Sequence, residues 1–275
     1  MLSLITTCKN RLPHLKQTLP LMLQQGDAEV IVVDYGCEQG TAAWVKEHHP
    51  AAKLVEVKDD PVFCASRARN MGAKNASHEV LCFVDADVLV HAELGRWLEL
   101  NQDPNAFYLY PGRKEYELDG FLILTREHFF NVGGYDEAFR GWGGEDFDLY
   151  ERLARTGLSK SSVPRESISS ISHGDELRQL SEDEGGFGTK SDTLSMIQLY
   201  GAIKRDSWQL TGREVELEKR KELVQFIRMT RKEALQEGRD AFEISINVPM
   251  DSKHNTYLKG LRGLSYKIPL RPPIK

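Results

Sequence analysis

Four strand-length apolar runs, each followed by a helical pattern, leave this chain few architectures to adopt. "LSLITTC" (Leu2–Cys8), "EVIVVDYG" (Glu29–Gly36), "AKLVEV" (Ala52–Val57) and "EVLCFVDADV" (Glu79–Val88) are near-continuous and rich in β-branched residues. Helical stretches fill the gaps, over Pro13–Gln25, Thr41–His49 and Ala65–Asn75. Alternating strands lie in a half-exposed sheet, whereas continuous runs need cover on both faces. The pattern therefore predicts an α/β fold with a mainly parallel sheet between helical layers.

The rhythm changes after Val88. A helix is predicted near Glu93–Asn101, and "AFYLYPG" and "DGFLILT" are strand candidates that extend the sheet. "FDLYERLARTG" is an amphipathic helix that stops at Gly157. Ser159–Ser195 is polar and irregular, with "EDEGGFG" (Glu182–Gly188) as its most flexible point, either a lid or an ordinary loop. Thr211–Gly238 is a long charged helix, and the basic stretch from about Asp251 to Lys275 is expected to be extended or loosely packed. These features divide the chain into a domain over 1–205, with halves at about 1–90 and 91–205, and a helical extension with a basic tail over 206–275.

Charge and cysteine usage narrow the class. A net charge of −5 over 275 residues argues against a nucleic-acid partner. No apolar run is long enough to span a membrane, and "MLSLITTCKNR" lacks the basic start of a signal peptide. Cys8, Cys37, Cys64 and Cys82 form no CxxC pair, which points to free thiols and a reducing, cytoplasmic setting.

In an open α/β sheet, ligands bind beyond the carboxyl ends of the strands. Thr6, Thr7 and Arg11 follow the first strand, Asp34 closes the second, and Asp85 and Asp87 close the fourth. Two carboxylates separated by one residue on an extended strand end point to one side, where like charges invite a hard cation such as Mg²⁺ or Mn²⁺. The same pattern also serves as an acidic cap on the next helix. Asp34 suits either a turn or an acceptor for a nucleobase N–H. Arg67 and Arg69 in "SRARNMG" suit a diphosphate, the strand-end acids, or an ordinary basic helix face.

"GWGGEDFDL" (Gly141–Leu149) sets three glycines and Trp142 against three acids. Glycines let a backbone approach a ligand closely, and the helix that follows favours anions at its start. An indole packs on the C–H face of a sugar ring, and a carboxylate beside it can take a hydroxyl proton. The segment is suited to a sugar whose hydroxyl is made nucleophilic.

Taken in order, "TTCKNR", "VVDYG", "ASRARNMGA", "VDADV" and "GWGGEDFDL" resemble the GT-A fold glycosyltransferases, and the inverting family 2 enzymes in particular. "NVGGYDEAFRGWGGEDFDLYERL" is similar to the acceptor segment of galactosyltransferases. The resemblance covers about Met1 to His173. It implies that Thr6, Arg11 and Asp34 contact uridine, that Arg67 or Arg69 lies near the nucleotide, and that Asp85 sits by the ribose or the metal. Asp87 and His173 would bind Mn²⁺ (or Mg²⁺). Trp142 and Gly143 would line the sugars, Glu145 would hold the acceptor, and Asp146 would be the general base. The implied partners are a UDP-sugar donor and a carbohydrate or glycoconjugate acceptor. The tail offers contact with an anionic membrane surface or a pathway enzyme, and the oligomeric state stays open. "VVDYGC" lacks the second aspartate of the usual family 2 "DDGS", and "GWGGE" also occurs in retaining enzymes. Retention, a nucleotidyltransferase and a non-catalytic sugar-nucleotide-binding module therefore stand as alternatives; the absence of a glycine from "TTCKNRLPHL" counts against the nucleotidyltransferase.

Overall fold

The computed structural model describes residues 1–112, 118–141, 143–171, 190–251 and 259–270. By packing, the chain forms two compact units, Met1–Asp136 with Glu145–Gly185, and Glu137–Gly144 with Gly186–Lys275.

The first unit is built on a seven-stranded sheet. Its strands are β1 (Leu2–Cys8), β2 (Glu29–Asp34), β3 (Lys53–Glu56), β4 (Val80–Asp85), β6 (Ala106–Leu109), β7 (Leu122–Thr125) and β8 (Ser159–Ser162), in the order β3-β2-β1-β4-β7-β6-β8. The first four are mutually parallel; β7 runs antiparallel to β4 and β6, and β6 is parallel to β8. This is the mixed, mainly parallel sheet expected.

Alternate residues of each strand feed two cores. Leu4, Cys8 and Val32 pack with Leu15 and Leu19 of α1 (Leu12–Met22), Val45 of α2 (Thr41–His48) and Leu98 of α4 (Glu93–Asn101). Ile5, Val33 and Phe83 pack on the other face with Ala68 of α3 (Ala65–Asn75), Phe129 of α5 (Arg126–Asn131) and Leu149 of α6 (Glu145–Arg155). Helix α3 lies flush on the sheet because Gly72 has no side chain; a Cβ there would run into Cγ2 of Ile5 and come within 3.2 Å of Val33.

Some expectations shift. The fourth strand stops at Asp85, and Val88–Val90 forms a separate β5 paired with β9 (Ile168–Ser170). The turn at Ala86 is tied down by its carbonyl, which accepts from the buried hydroxyl of Thr18 at 2.9 Å. The Ser159–Ser195 stretch is less irregular than its composition suggests, since it supplies β8 and β9 and starts α7 (Lys190–Thr211). A domain boundary at 205 falls inside that helix, and the second compact unit begins upstream at Gly186. The "EDEGGFG" segment lies outside the described residues.

The second unit is only half helical. After α7 and α8 (Leu217–Gln236) comes an antiparallel hairpin of β10 (Ala241–Asp251) and β11 (Lys259–Pro269), the second strand falling where an extended or loosely packed tail was expected. Phe242, Ile244 and Val248 are buried while Glu243, Ser245 and Asn247 are exposed, so the ribbon has one apolar face. From that face Phe242 and Ile244 pack with Tyr200 and Ile203 of α7 and Ile227 of α8. No described helix is long and apolar enough to cross a membrane.

Gly72→Ala is expected to cost about 1–3 kcal/mol, because the added methyl overpacks a sheet–helix contact with no slack. Urea unfolding at fixed pH measures this; a change under 0.5 kcal/mol would show that Ile5 rotates out of the way.

Candidate active site

The carboxyl edge of the sheet gathers the expected residues of the first half. Thr7 and Asp85 are register partners on β1 and β4, and Cys8 and Asp34 are partners on β1 and β2. Thr6 is fully buried, and its hydroxyl has no hydrogen-bond partner among the described residues. Arg11, half-buried, occupies the N-cap position of α1. Asp34 shapes its own turn: Oδ1 accepts the Cys37 N–H at 2.7 Å and Oδ2 the Ala42 N–H at 2.9 Å. Burial pushes its carboxyl up against the pull of those two donors.

The two arginines of α3 go different ways, because residues two apart on a helix point to nearly opposite sides. Arg67 leaves the sheet edge to pair with Asp59 at 2.6 Å and Asp60 at 3.2 Å, and Asp60 also accepts from Tyr35 Oη. Arg69 turns inward, and the site is organised around it. Its Nη2 contacts Asp85 Oδ1 at 2.9 Å, and its Nη1 contacts Glu145 Oε1 at 3.2 Å and Asp146 Oδ1 at 3.0 Å. The Arg69 side chain is 6% exposed, Glu145 10%, Asp146 13% and Asp85 35%.

Three surrounding features hold Arg69. The Tyr135 ring lies 5.1 Å from its guanidinium carbon. Gly120 lacks the Cβ that would otherwise come within 2.6 Å of Arg69 Nη2 and 2.7 Å of Asp85 Oδ2. Asn70 exchanges two 2.9 Å hydrogen bonds with the backbone N–H and C=O of Tyr135, which fixes Tyr135 against α3. Asn70, Gly120 and Tyr135 were not foreseen as site residues. The adjacency of an amide to an arginine in "RN" is a sequence signal for Asn70 alone.

Glu145 and Asp146 occupy the first turn of α6, where the helix dipole stabilises negative charge. The helix is anchored lower down: Arg152 pairs with Asp148 at 2.8 Å and donates to the Val132 carbonyl at 2.7 Å. One guanidinium cannot neutralise three carboxylates. Burial, together with Glu145 and Asp85, therefore pushes the Asp146 carboxyl well above its ordinary 3.8 even though Arg69 opposes the shift. Glu145 Oε2 is buried with no hydrogen-bond partner among the described residues, an acceptor with spare capacity.

Gly141, Gly143 and Gly144 all have φ of +91°, a conformation that side-chain-bearing residues avoid. A Cβ on Gly144 would also strike Ile197 and Phe139. Trp142 and His173 lie outside the described residues. The Asp87 carbonyl accepts from the Ile171 N–H at 2.8 Å. Among the described residues no group of three or more His, Cys, Asp or Glu side chains is placed to hold a metal ion.

Two family models match in tandem, "Glycosyltransferase like family 2" over residues 6–111 and "N-terminal domain of galactosyltransferase" over 106–174. The chain is 27% identical over 229 residues to validoxylamine A glucosyltransferase of Streptomyces hygroscopicus subsp. jinggangensis, an alignment covering 61% of this chain and 54% of that protein. It is 25% identical over 172 residues to β-1,4-galactosyltransferase 1 of Bos taurus, covering 58% and 38%. The chain thus spans about half or less of these relatives' length. Among solved structures, the mannosyltransferase PcManGT of Pyrobaculum calidifontis, in complex with GDP-Man and Mn²⁺, superposes with a TM-score of 0.54 at 17% identity, covering 86% of this chain and 74% of that one. The fold is therefore GT-A, and residues 6–174 are similar in sequence to glycosyltransferases.

Removing the central cation is expected to be severe. Arg69→Met leaves three carboxylates facing one another and should cost about 3–5 kcal/mol, with Arg69→Lys recovering only part, since one ammonium cannot reproduce the guanidinium fork. Denaturant titration reads both, and full recovery by lysine would mean that charge alone matters.

Asp146 yields a pH signature. A carboxyl whose folded pKa is raised contributes stability below its unfolded pKa and loses that contribution as pH rises through the folded value. Asp146→Asn should therefore be at least as stable as the native chain at pH 8, with the difference vanishing near pH 4, as followed by thermal unfolding across that range. A variant markedly less stable at pH 8 would mean that the Arg69 pair outweighs burial.

Proposed function

We propose that this chain transfers a sugar from a UDP-sugar to an acceptor hydroxyl, with inversion at the anomeric carbon and Asp146 as general base. The observation that carries this is the Arg69 cluster. One guanidinium joins Asp85, at the end of the strand that would meet the nucleotide, to Glu145 and Asp146, at the start of the helix that would meet the acceptor. Donor and acceptor chemistry are thereby brought within one side chain's span. The sequence relatives, named as glucosyl- and galactosyltransferases, support the same reading.

In this reading Thr6, Arg11 and Asp34 line the uridine site, while Arg69 sits beneath the nucleotide and sets the acids. Arg67, committed to Asp59 and Asp60, borders the site from the nucleotide side. Glu145 uses Oε2 to accept from an acceptor hydroxyl, and Trp142 and Gly143 flank the sugars. Asp146, its basicity raised by burial, takes the proton of the attacking hydroxyl. The oxygen then bonds to the anomeric carbon as the bond to the diphosphate breaks, and UDP departs. Exclusion of water from this buried cluster strengthens each of these contacts.

The acids of the strand end fit a divalent cation. Asp85 and Asp87 supply hard oxygen donors, and Ile171, whose amide is bonded to Asp87, lies two residues before His173. Mn²⁺ or Mg²⁺ held by Asp87 and His173, with Asp85 beside them, would keep positions for water and phosphate oxygens and would supply charge neutralisation for the leaving diphosphate.

The decisive measurement is UDP release across a panel of UDP-sugars, with GDP-mannose for contrast, with Mn²⁺ and with EDTA. Metal-dependent release from a UDP donor is expected, with Asp146→Asn lowering kcat by about 10²–10⁴ and leaving UDP affinity intact. If the chain binds no UDP, the donor assignment fails. If Asp146→Asn keeps its rate, the base lies elsewhere.

A further inference from the structure

Two cysteines at the carboxyl edge of the sheet have no part in the transfer chemistry, yet their surroundings are built around them. Cys8 ends β1 and is fully buried, with its sulfur 3.2 Å from the hydroxyl of Thr41, the first residue of α2. Cys37 lies in the β2–α2 loop, held there by the 2.7 Å hydrogen bond from its amide to Asp34. Of the four cysteines it alone is not fully buried. Its sulfur accepts the Asn10 N–H at 3.3 Å, and Cys37 packs against the buried cluster that contains Cys8, whose register partner is the same Asp34.

The backbone is bent to make this contact. Asn10 has a φ of +55°, the only positive value among the described residues other than glycines. The conformation is held from both sides: its N–H goes to Cys37 and its Oδ1 accepts the Glu38 N–H at 3.1 Å. Left-handed backbone in a side-chain-bearing residue costs free energy and persists where the surroundings impose it. The Cys8 thiol, the Thr41 hydroxyl and the amides of Gln39 and Asn10 hold the Cys37 thiol well below its usual range, while hydrogen bonding to Cys37 and burial push Cys8 up. The two sulfurs are thereby driven apart in acidity, with the partly exposed Cys37 the more acidic. Isolated and buried, Cys82 shows the ordinary case, in which burial alone raises the pKa.

We propose that Cys37 and Cys8 are a peroxide-sensitive dithiol, a modification site in which Cys37 is the attacking sulfur and Cys8 the resolving one. The Cys37 thiolate attacks hydrogen peroxide, the O–O bond breaks, and Cys37 becomes a sulfenic acid with release of hydroxide. The released hydroxide takes the Cys8 thiol proton as water, the Cys8 sulfur attacks the sulfenic sulfur, an S–S bond forms as the S–O bond breaks, and the departing hydroxide takes up, as the second water, the proton that Cys37 lost on ionising. In sum, two thiols and one peroxide give one disulfide and two waters. The product ties the β1–α1 loop to the β2–α2 loop and removes the acceptor of the Asn10 amide. Thr6, Thr7 and Asp34 lie at the roots of these loops, so oxidation lowers nucleotide affinity; this last consequence rests on the function proposed above.

The thiol chemistry is tested without any sugar donor. At pH 5.5, a thiol titrating near 4 carries about a thousandfold more thiolate than an ordinary one. The lower basicity of that sulfur reduces its nucleophilicity about a hundredfold, which leaves a net advantage of about tenfold. Iodoacetamide labelling of the native chain, read by peptide mass spectrometry, should therefore show Cys37 reacting about ten times faster than a free-thiol peptide. Peroxide should yield a Cys8–Cys37 linked peptide, and Cys8→Ser should stop at a sulfenic acid trapped by dimedone. Labelling of Cys37 at or below the peptide's rate, or peroxide linking any other pair, overturns the proposal. Calorimetry of UDP with the reduced and oxidised chain then separates the two layers. Weaker binding after oxidation supports the switch. Equal binding removes the regulatory consequence and leaves the dithiol, and no binding in either form counts against the donor assignment instead.

Discussion

A buried arginine surrounded by three carboxylates is the constraint to which the rest of the first unit answers. Such a cluster is stable only while every partner is held in place, because any carboxylate left facing its neighbours without the cation is a buried, uncompensated charge. The fold meets this with backbone more than with side chains. Gly72 sets α3 against β1, Gly120 leaves room above the guanidinium, and Asn70 fastens the Tyr135 backbone to the same helix. Each device brings a different part of the chain to Arg69. The cluster thereby connects residues 69, 85, 120, 135, 145 and 146, none of which needs to know about the others locally.

The arrangement also acts on the acid beside the guanidinium. Glu145 and Asp146 share one guanidinium nitrogen, and burial pushes the Asp146 carboxyl up against the pull of that cation. A carboxylate kept charged against the preference of its surroundings is a better proton acceptor than one at ease in water. The strain is local, and Arg152 and Asp148 bear the load of fixing α6 one turn further along. The strained charge and its structural support are thus separated by a single helical turn.

Much of this was legible beforehand, and the gaps have physical causes. Continuous β-branched runs gave the sheet and its burial on both faces, since nothing else hides such strands. The strand-end placement of Thr6, Asp34 and Asp85 followed from the same logic. Arg67 and Arg69 were indistinguishable as candidates: helical phase says they diverge, and only packing says which one turns inward. Tyr135 and Gly120 were invisible because their roles exist only against residues distant in sequence. The hairpin is a different case. Phe242, Ile244 and Val248 alternate with polar residues at the period of a strand, but the basic charge of the segment that pairs with them dominates its composition and obscures that period.

The segment Glu137–Gly144 keeps company with the C-terminal unit, where Ala138 and Phe139 pack beside Ile197 and Tyr200, while Glu145 already belongs to the sheet unit. Inheritance follows packing here more than chain order. A chimera exchanging everything from Gly186 onward with a relative would give the resident 137–144 segment a foreign floor. A workable graft must take two pieces of the gene together, the eight codons of that segment and the distant ninety that seat it. The glycine loop and the C-terminal module are then one heritable part, interrupted in the sequence by forty-one residues of another.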